Sequence, residues 1–452
     1  MARHASIVGS RIDRPEIWAS PEPTIARIDA AHVRDQLAES GHDRRASDLD
    51  RLADLGIDAS RFPMLWERVA PRVPHERDFA PWVARAERLR DRGVDPIVTL
   101  LHHGSGPLYT DLLDPNFPAL FADYAEAAAH ALPWVRRWTP INEPLTTARF
   151  AGLYGLWYPN LRNDASFARV LLNEIRATSE AMARIRALNP SAEFVLTEDL
   201  QRFTAGDAGA EHEAAFLRER MFLSVELLTG AVVPGHPLFE YLRERCGIDT
   251  AELALAAARA TPPNLMAFNH YPHSERYLFE TPQGALGDVP AVYVAGESPL
   301  EVGPLLRGAA ERLSLPLALG EVHVHAPEAE RVRWLAQHAD AVDALRADGL
   351  DIRAIGVWSA FGTIDWHSLL RERTSIAEDG IFTFAGPRGT PARTLVADAV
   401  AALVRGERID DRGIRGWWER PERLRDPVEL LAMRAGGIPE GEHVRFVDSA
   451  VE

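Results

Sequence analysis

Residues 95–144, DPIVTLLHHGSGPLYTDLLDPNFPALFADYAEAAAHALPWVRRWTPINEP, hold one full turn of the pattern that decides the fold. A short β-rich apolar run, 95–101, leads into a segment, 115–132, whose apolar residues recur at three and four. A second apolar run, 135–141, follows. This spacing predicts a helix packing one face on a sheet between two parallel strands. The second run ends on Asn142 and Glu143, before Pro144. A charged side chain beside a buried strand needs a partner, a solvent route or a task.

The same alternation extends in both directions. Strands are expected at 16–20, 57–63, 95–101, 135–141, 192–198, 264–270, 315–321 and 351–359, with helical sequence between them. Eight such units suggest an α/β fold, a parallel (β/α)8 TIM barrel, with a doubly wound open sheet as the alternative. The glycine-rich turn of a dinucleotide site is missing after every strand, which weakens that alternative. The barrel is assigned to residues 1–405. From 406 the chain turns charged and turn-rich around Trp417 and Trp418. Residues 406–452 are therefore read as a carboxy-terminal extension packed on the barrel through those tryptophans.

The formal charge of −16 argues against nucleic acid or an anionic membrane as partner, because both would be repelled. All fifty basic residues are arginine, which removes Schiff-base chemistry, the P-loop lysine and carboxylated-lysine metal sites. The single cysteine, Cys246, rules out an internal disulfide framework and reads as a structural thiol. The amino terminus lacks the apolar core of a signal peptide and no apolar run is long enough to span a bilayer, so the cytoplasm is the expected location.

Barrel chemistry sits at the carboxyl ends of the strands. The polar residues there are Arg61, Trp66 and Glu67; His102 and His103; Asn142 and Glu143; Glu198 and Asp199; Asn269, His270 and Tyr271; Glu321, His323 and His325; and Trp358, Ser359, Asp365 and Trp366. Glu143 and Glu321 end the fourth and seventh strands and can face each other across the mouth. Paired carboxylates flanking a sugar are the minimum equipment for glycoside hydrolysis. Tryptophans suit the CH faces of sugar rings. Glu321 beside Arg61 is expected to stay ionised, and Glu143 beside an anionic neighbour to have its pKa raised. Glu198 and Asp199 read as loop charges, and Trp66 as core.

WTPINEP (138–144) resembles the W-x-x-x-N-E-P segment of glycoside hydrolase family 1, the β-glucosidase family. RFPMLWERVAP (61–71), VTLLHH (98–103), NHY (269–271), LPLALGE (315–321) and VWSAFGTIDW (357–366) resemble further segments of that family, in order. The resemblance covers roughly residues 57–366. It implies a retaining hydrolase that cleaves a β-glycosidic bond by double displacement and needs no cofactor and no metal. Its substrate would be a small-molecule glycoside or oligosaccharide. Glu143 would be the general acid/base and Glu321 the nucleophile, about 5–5.5 Å apart. Asn142 would bind the sugar 2-hydroxyl, and Arg61 and Tyr271 would orient the nucleophile. His102 would bind a hydroxyl, Trp358 would floor the glycone subsite, and Asp365 and Trp366 would meet distal parts of the sugar. Tyr154, Trp157 and Tyr158 would lie toward the leaving group.

Departures from that pattern mark a divergent member, and the tail resembles the linker that follows glycosidase-like barrels in some bacterial proteins, which implies a bacterial one. The family's H-W-D is His102-His103-Gly104 here, its T-E-N-G is Gly320-Glu321-Val322-His323, and Glu22 is the substitute for its first-strand glutamine. Two other readings stand beside the glycosidase. One is a barrel that binds carbohydrate without turnover. The other is a metal-dependent barrel hydrolase using His102, His103, His323 and His325, since an H-x-H strand segment puts both imidazoles on one face.

Overall fold

A computed structural model of the chain describes residues 14–206, 208–279, 291–293 and 301–419. Eight parallel strands close into a barrel: β1 Glu16–Ala19, β2 Ala59–Pro63, β3 Asp95–His102, β4 Arg137–Asn142, β5 Glu193–Asp199, β6 Leu265–His270, β7 Leu317–Val322 and β8 Ile352–Val357. Each lies in an expected strand segment to within about two residues at either end. The strands follow one another in chain order, and β1 closes the ring by pairing with β8 and, through Trp18 and Ala59, with β2.

The crossover helices include α1 Ser47–Asp54, α2 Ala80–Asp91, α3 Phe117–Ala131, α4 Asp164–Leu188, α5 Glu211–Arg220, α6 Leu223–Thr229, α7 Thr250–Ala258, α8 Val302–Leu313, α9 Glu328–Ala347 and α10 Leu395–Val404. In α3, Pro118 opens the first turn, where its missing N–H costs no hydrogen bond, and Phe117, Phe121, Tyr124, Ala125 and Ala128 form the buried stripe. At the start of α4 the side chain of Asn163 accepts the Ser166 N–H. None of the helices in the described residues is long and apolar enough to cross a membrane.

The barrel interior is packed with one large residue among small ones, Trp18 with Ala59, Ile97, Val195, Leu265, Ala267, Ala318 and Ala354. This apolar plug leaves the opposite end, where the strands finish, as the place for polar groups. Close strand contact has a particular cause at β7 and β8. A Cβ on Gly356 would overlap the carbonyl oxygen of Gly320, so two glycines let these strands approach beside Glu321.

The chain after α10 returns to the barrel wall. Trp418 is fully buried, edge-on to Trp334 of α9 at 4.8 Å, and its Nε1 donates to Gln337 Oε1 at 2.9 Å. Arg333 of α9 meets both Glu419 and Asp411. The rest of the expected extension, 420–452, lies outside the described residues.

Candidate active site

β4 brings Asn142 and Glu143 to the barrel mouth, and the backbone then turns sharply. Glu143 takes φ 44°, ψ 61°, in the left-handed region, immediately before a short helix at Pro144–Ala148. Its carboxyl makes no capping bond to that helix. It reaches across the mouth, where Oε1 accepts Asn269 Nδ2 at 2.5 Å and Oε2 lies 3.5 Å from His103 Nε2. Burial, then the charges of Glu321, Asp199 and Glu198, hold the Glu143 pKa well above the ordinary carboxylate range.

Glu321, in β7, has a different environment. Arg61 Nη1 donates to its Oε1 and Tyr271 Oη to its Oε2. Two donors, one of them cationic, suit an ionised carboxylate. Burial and the neighbouring Glu321 push the Tyr271 hydroxyl well above its ordinary pKa, which keeps it a donor. Gly320, where the family resemblance has threonine, lies close to Asn269: a Cβ there would come within 2.7 Å of Asn269 Oδ1.

Arg61 also donates to Asn142 Oδ1, which accepts Thr197 Oγ1 at 2.9 Å as well. Asn142 Nδ2 lies 3.2 Å from both His102 Nε2 and His103 Nε2. His102 stacks on Trp358 at 5.7 Å and 7°. Its Nδ1 has no hydrogen-bond partner among the described residues. Burial, then His103 and Arg61, hold the His102 pKa well below the ordinary imidazole value; burial and Arg61 bring His103 down to about 3. Both rings are neutral. Trp358 Nε1 donates to Glu22 Oε2 at 3.0 Å, and Glu22 Oε1 accepts the Thr24 N–H at 2.8 Å. Burial and Glu321 push Glu22 up to about 7. Glu22 thus sits against Trp358, with its Oε1 3.9 Å from His102 Nε2.

Several expectations need correction. Asp365 does not present its carboxylate to a sugar. Oδ1 accepts Thr374 N, Thr374 Oγ1 and Ile376 N, and Oδ2 accepts Arg34 Nη2 at 2.9 Å, so the residue is consumed in anchoring the 365–376 loop. Trp157 is buried against Phe150, His103 and Trp366, with Nε1 donating to Leu369 O, and serves as wall behind His103. Glu198 and Asp199 are not loop charges. Both are buried at the end of β5: Glu198 accepts the Leu145 N–H at 2.8 Å, and Asp199 accepts from Ser274 and from Gln201. Burial opposes the Asp199 charge, but Arg276, His273 and Arg149 hold its pKa low. Its negative charge then helps keep the proton on Glu143.

His270 turns away from the mouth to stack on Trp334 and pair with His338 Nε2 at 2.8 Å. His323 and His325 both turn to Glu378 Oε2, at 3.4 and 3.0 Å, and not toward His102 and His103. No group of three metal-ligating side chains converges among the described residues. Trp66 is core, ringed by Tyr109, Phe117, Phe121 and Tyr124. Cys246 is a buried free thiol that burial pushes up to about 12. Trp366 borders His103 at 6.1 Å. Asn269 appears among the strand-end residues of the sequence without a role, and Thr147 does not appear there. Asn269 stood in the NHY match and could have been found there; Thr147, on the helix after Glu143, gave no signal.

A closed barrel whose mouth pairs two carboxylates of opposite surroundings defines the class, and the comparisons agree with it. The family model described as glycosyl hydrolase family 1 matches residues 15–277, and the chain belongs to that family. It is 31% identical to beta-glucosidase 34 of Oryza sativa subsp. japonica over 142 residues, which spans 30% of this chain and only 28% of that relative's length. It is 23% identical to the coniferin beta-glucosidase of Pinus contorta over 423 residues, 78% of this chain and 80% of the other. The fold matches a family 1 β-glucosidase from Thermotoga maritima in complex with isofagomine lactam, with a TM-score of 0.68, 14% identity and coverage of 87% and 97%. It also matches the AHE enzyme from Alicyclobacillus herbarius, with a TM-score of 0.70, 16% identity and coverage of 87% and 98%.

Proposed function

We propose that the protein is a retaining β-glycosidase acting on a small glycoside by double displacement. The observation that carries this reading is the contrast between its two buried carboxyls. Glu143 sits in an environment that keeps it protonated, and Glu321 accepts from Arg61 and Tyr271. In the first step Glu143 gives its proton to the leaving oxygen while Glu321 attacks the anomeric carbon. In the second, Glu143, now a carboxylate, takes a proton from water, and the oxygen of that water displaces Glu321. Arg61 and Tyr271 fix the attacking oxygen, so little reorganisation is needed as its charge moves to the sugar. His102, Glu22 and Trp358 form the glycone wall, with Trp366 at its edge.

Departures at His103, Gly104 and Gly320 support a divergent branch. A bacterial origin is supported by the tail's likeness to the linker that follows such barrels in some bacterial proteins. The division at residue 405 is supported by the change in composition and by the docking of Trp418.

An activated 2-deoxy-2-fluoro glycoside should label Glu321 covalently, seen by peptide mass spectrometry, with loss of turnover. Glu321→Gln should lower kcat by at least about 10³-fold and abolish labelling. Substantial turnover by this variant would remove Glu321 as nucleophile. A wild-type protein that binds glycosides and neither turns over nor labels would be a binding barrel.

A further inference from the structure

Glu143 and Glu321 are joined through Asn142, which precedes Glu143 in the chain and shares Arg61 with Glu321. The family resemblance puts this side chain against the sugar 2-hydroxyl, next to the anomeric carbon. A hydrogen bond there strengthens in the transition state and normally makes such a site demanding at the sugar's 2-position.

Asn142, however, has nothing left to offer. A primary amide carries two N–H donors and one oxygen with two lone pairs. The oxygen accepts Arg61 Nη2 and Thr197 Oγ1. The nitrogen is 3.2 Å from His102 Nε2 and 3.2 Å from His103 Nε2. The residue has no exposed surface.

The second imidazole makes the difference. His103 is pinned in place: its Nδ1 pairs with Thr147 Oγ1 at 3.1 Å, and its ring stands edge-on to His102 at 4.8 Å and 90°. Trp157 and Trp366 close in at 5.5 and 6.1 Å. With the Nδ1 proton donated to Thr147, Nε2 is an acceptor aimed at Asn142, 3.5 Å from Glu143 Oε2. His103 therefore occupies the polar position between amide and acid that a sugar hydroxyl would otherwise take.

Strong rejection of an analogue lacking a hydroxyl arises when buried polar groups are left unpaired. Here a glycone without the 2-hydroxyl leaves none unpaired on Asn142. We propose that His103 is a specificity-determining residue that satisfies Asn142 from within the protein, so that the site accepts β-glycosides of 2-deoxy sugars alongside their 2-hydroxy counterparts. The inference rests on the glycosidase reading of the site, and its test is built so that the two can fail separately.

The first measurement is kcat/KM for 4-nitrophenyl β-D-glucoside and its 2-deoxy analogue. The second needs no turnover: Kd for deoxynojirimycin and for its 2-deoxy counterpart. In the wild-type protein each pair should agree to within about tenfold, where a site that depends on the hydroxyl would separate substrates by about 10⁴-fold. His103→Phe, which keeps an aromatic ring but has no acceptor, and His103→Ala should free the amide. Both should move the ratios at least about tenfold toward the 2-hydroxy compound. A wild-type substrate ratio near 10⁴, or ratios unmoved in both variants, would overturn the proposal; the wild-type ratio alone suffices if a variant does not fold. Matched Kd values that separate in the variants, with no turnover of either substrate, would support His103's role and remove the glycosidase reading. Labelling of Glu321 with a demanding 2-position would do the reverse.

Discussion

At the scale of single residues, Glu143 shows how environment assigns a role. Its neighbours Glu321, Asp199 and Glu198 are all acidic, and burial removes the water that would stabilise its charge. The proton it holds is the one a leaving group needs. Glu143→Ala should keep kcat/KM, which reports the first step, to within about tenfold on aryl glycosides with good leaving groups, and should lose about 10²–10⁴-fold in kcat/KM on poor ones. Equal losses on both would count against an acid role. The pH dependence has a fixed sign. A raised pKa keeps the acid form above the usual carboxylate range, so wild-type kcat/KM should decline only as pH climbs through that higher value. The alanine variant should lack this alkaline limb. The same shift favours the folded state fully below about pH 4.5, and the gain is lost as pH rises to the folded-state pKa.

At the scale of elements, the approach of β7 to β8 positions the nucleophile. Glu321 follows Gly320, and Gly320 lies against Gly356 without intervening side chains. Gly356→Ala should push the strands apart, costing about 1–3 kcal/mol in chemical denaturation and displacing Glu321 from Arg61 and Tyr271. The expected result is a lower denaturation midpoint together with a fall in kcat of about 10²-fold. Unchanged stability would mean that the strands adapt without strain. Much at this scale was legible in advance. The eight strand segments and the amphipathic helices between them were visible because a buried strand and a one-sided helix have different apolar periods. Strand-end residues such as Arg61, Asn142, Glu143 and Glu321 could be listed, because parallel topology sends all carboxyl ends to one mouth.

At the scale of the whole molecule, the chain beyond α10 docks on α9 through Trp418 and through the ion pairs of Arg333 with Asp411 and Glu419. Trp418 is buried against Trp334 of α9, which in turn stacks on His270 at the end of β6. Trp418→Ala should cost about 3–5 kcal/mol of stability and leave kcat/KM of the folded protein unchanged, measured by denaturant titration alongside kinetics. A large change in kcat/KM without loss of stability would instead tie the extension to the site.

What the sequence determined by itself follows from local periodicity and motif order: the barrel, its eight strands, and the two glutamates at the mouth. Which polar groups are already satisfied was decided only by tertiary structure, because hydrogen-bond partners come from distant parts of the chain. Asp365 looked like a sugar ligand until Arg34 and Thr374 were seen to take its oxygens. Glu198 and Asp199 read as loop charges in the sequence, but the end of β5 that carries them is buried. Glu143 and Asn142 were readable from a heptapeptide, but the partners that protonate one and saturate the other converge on them from β2, β3, β5, β6 and β7.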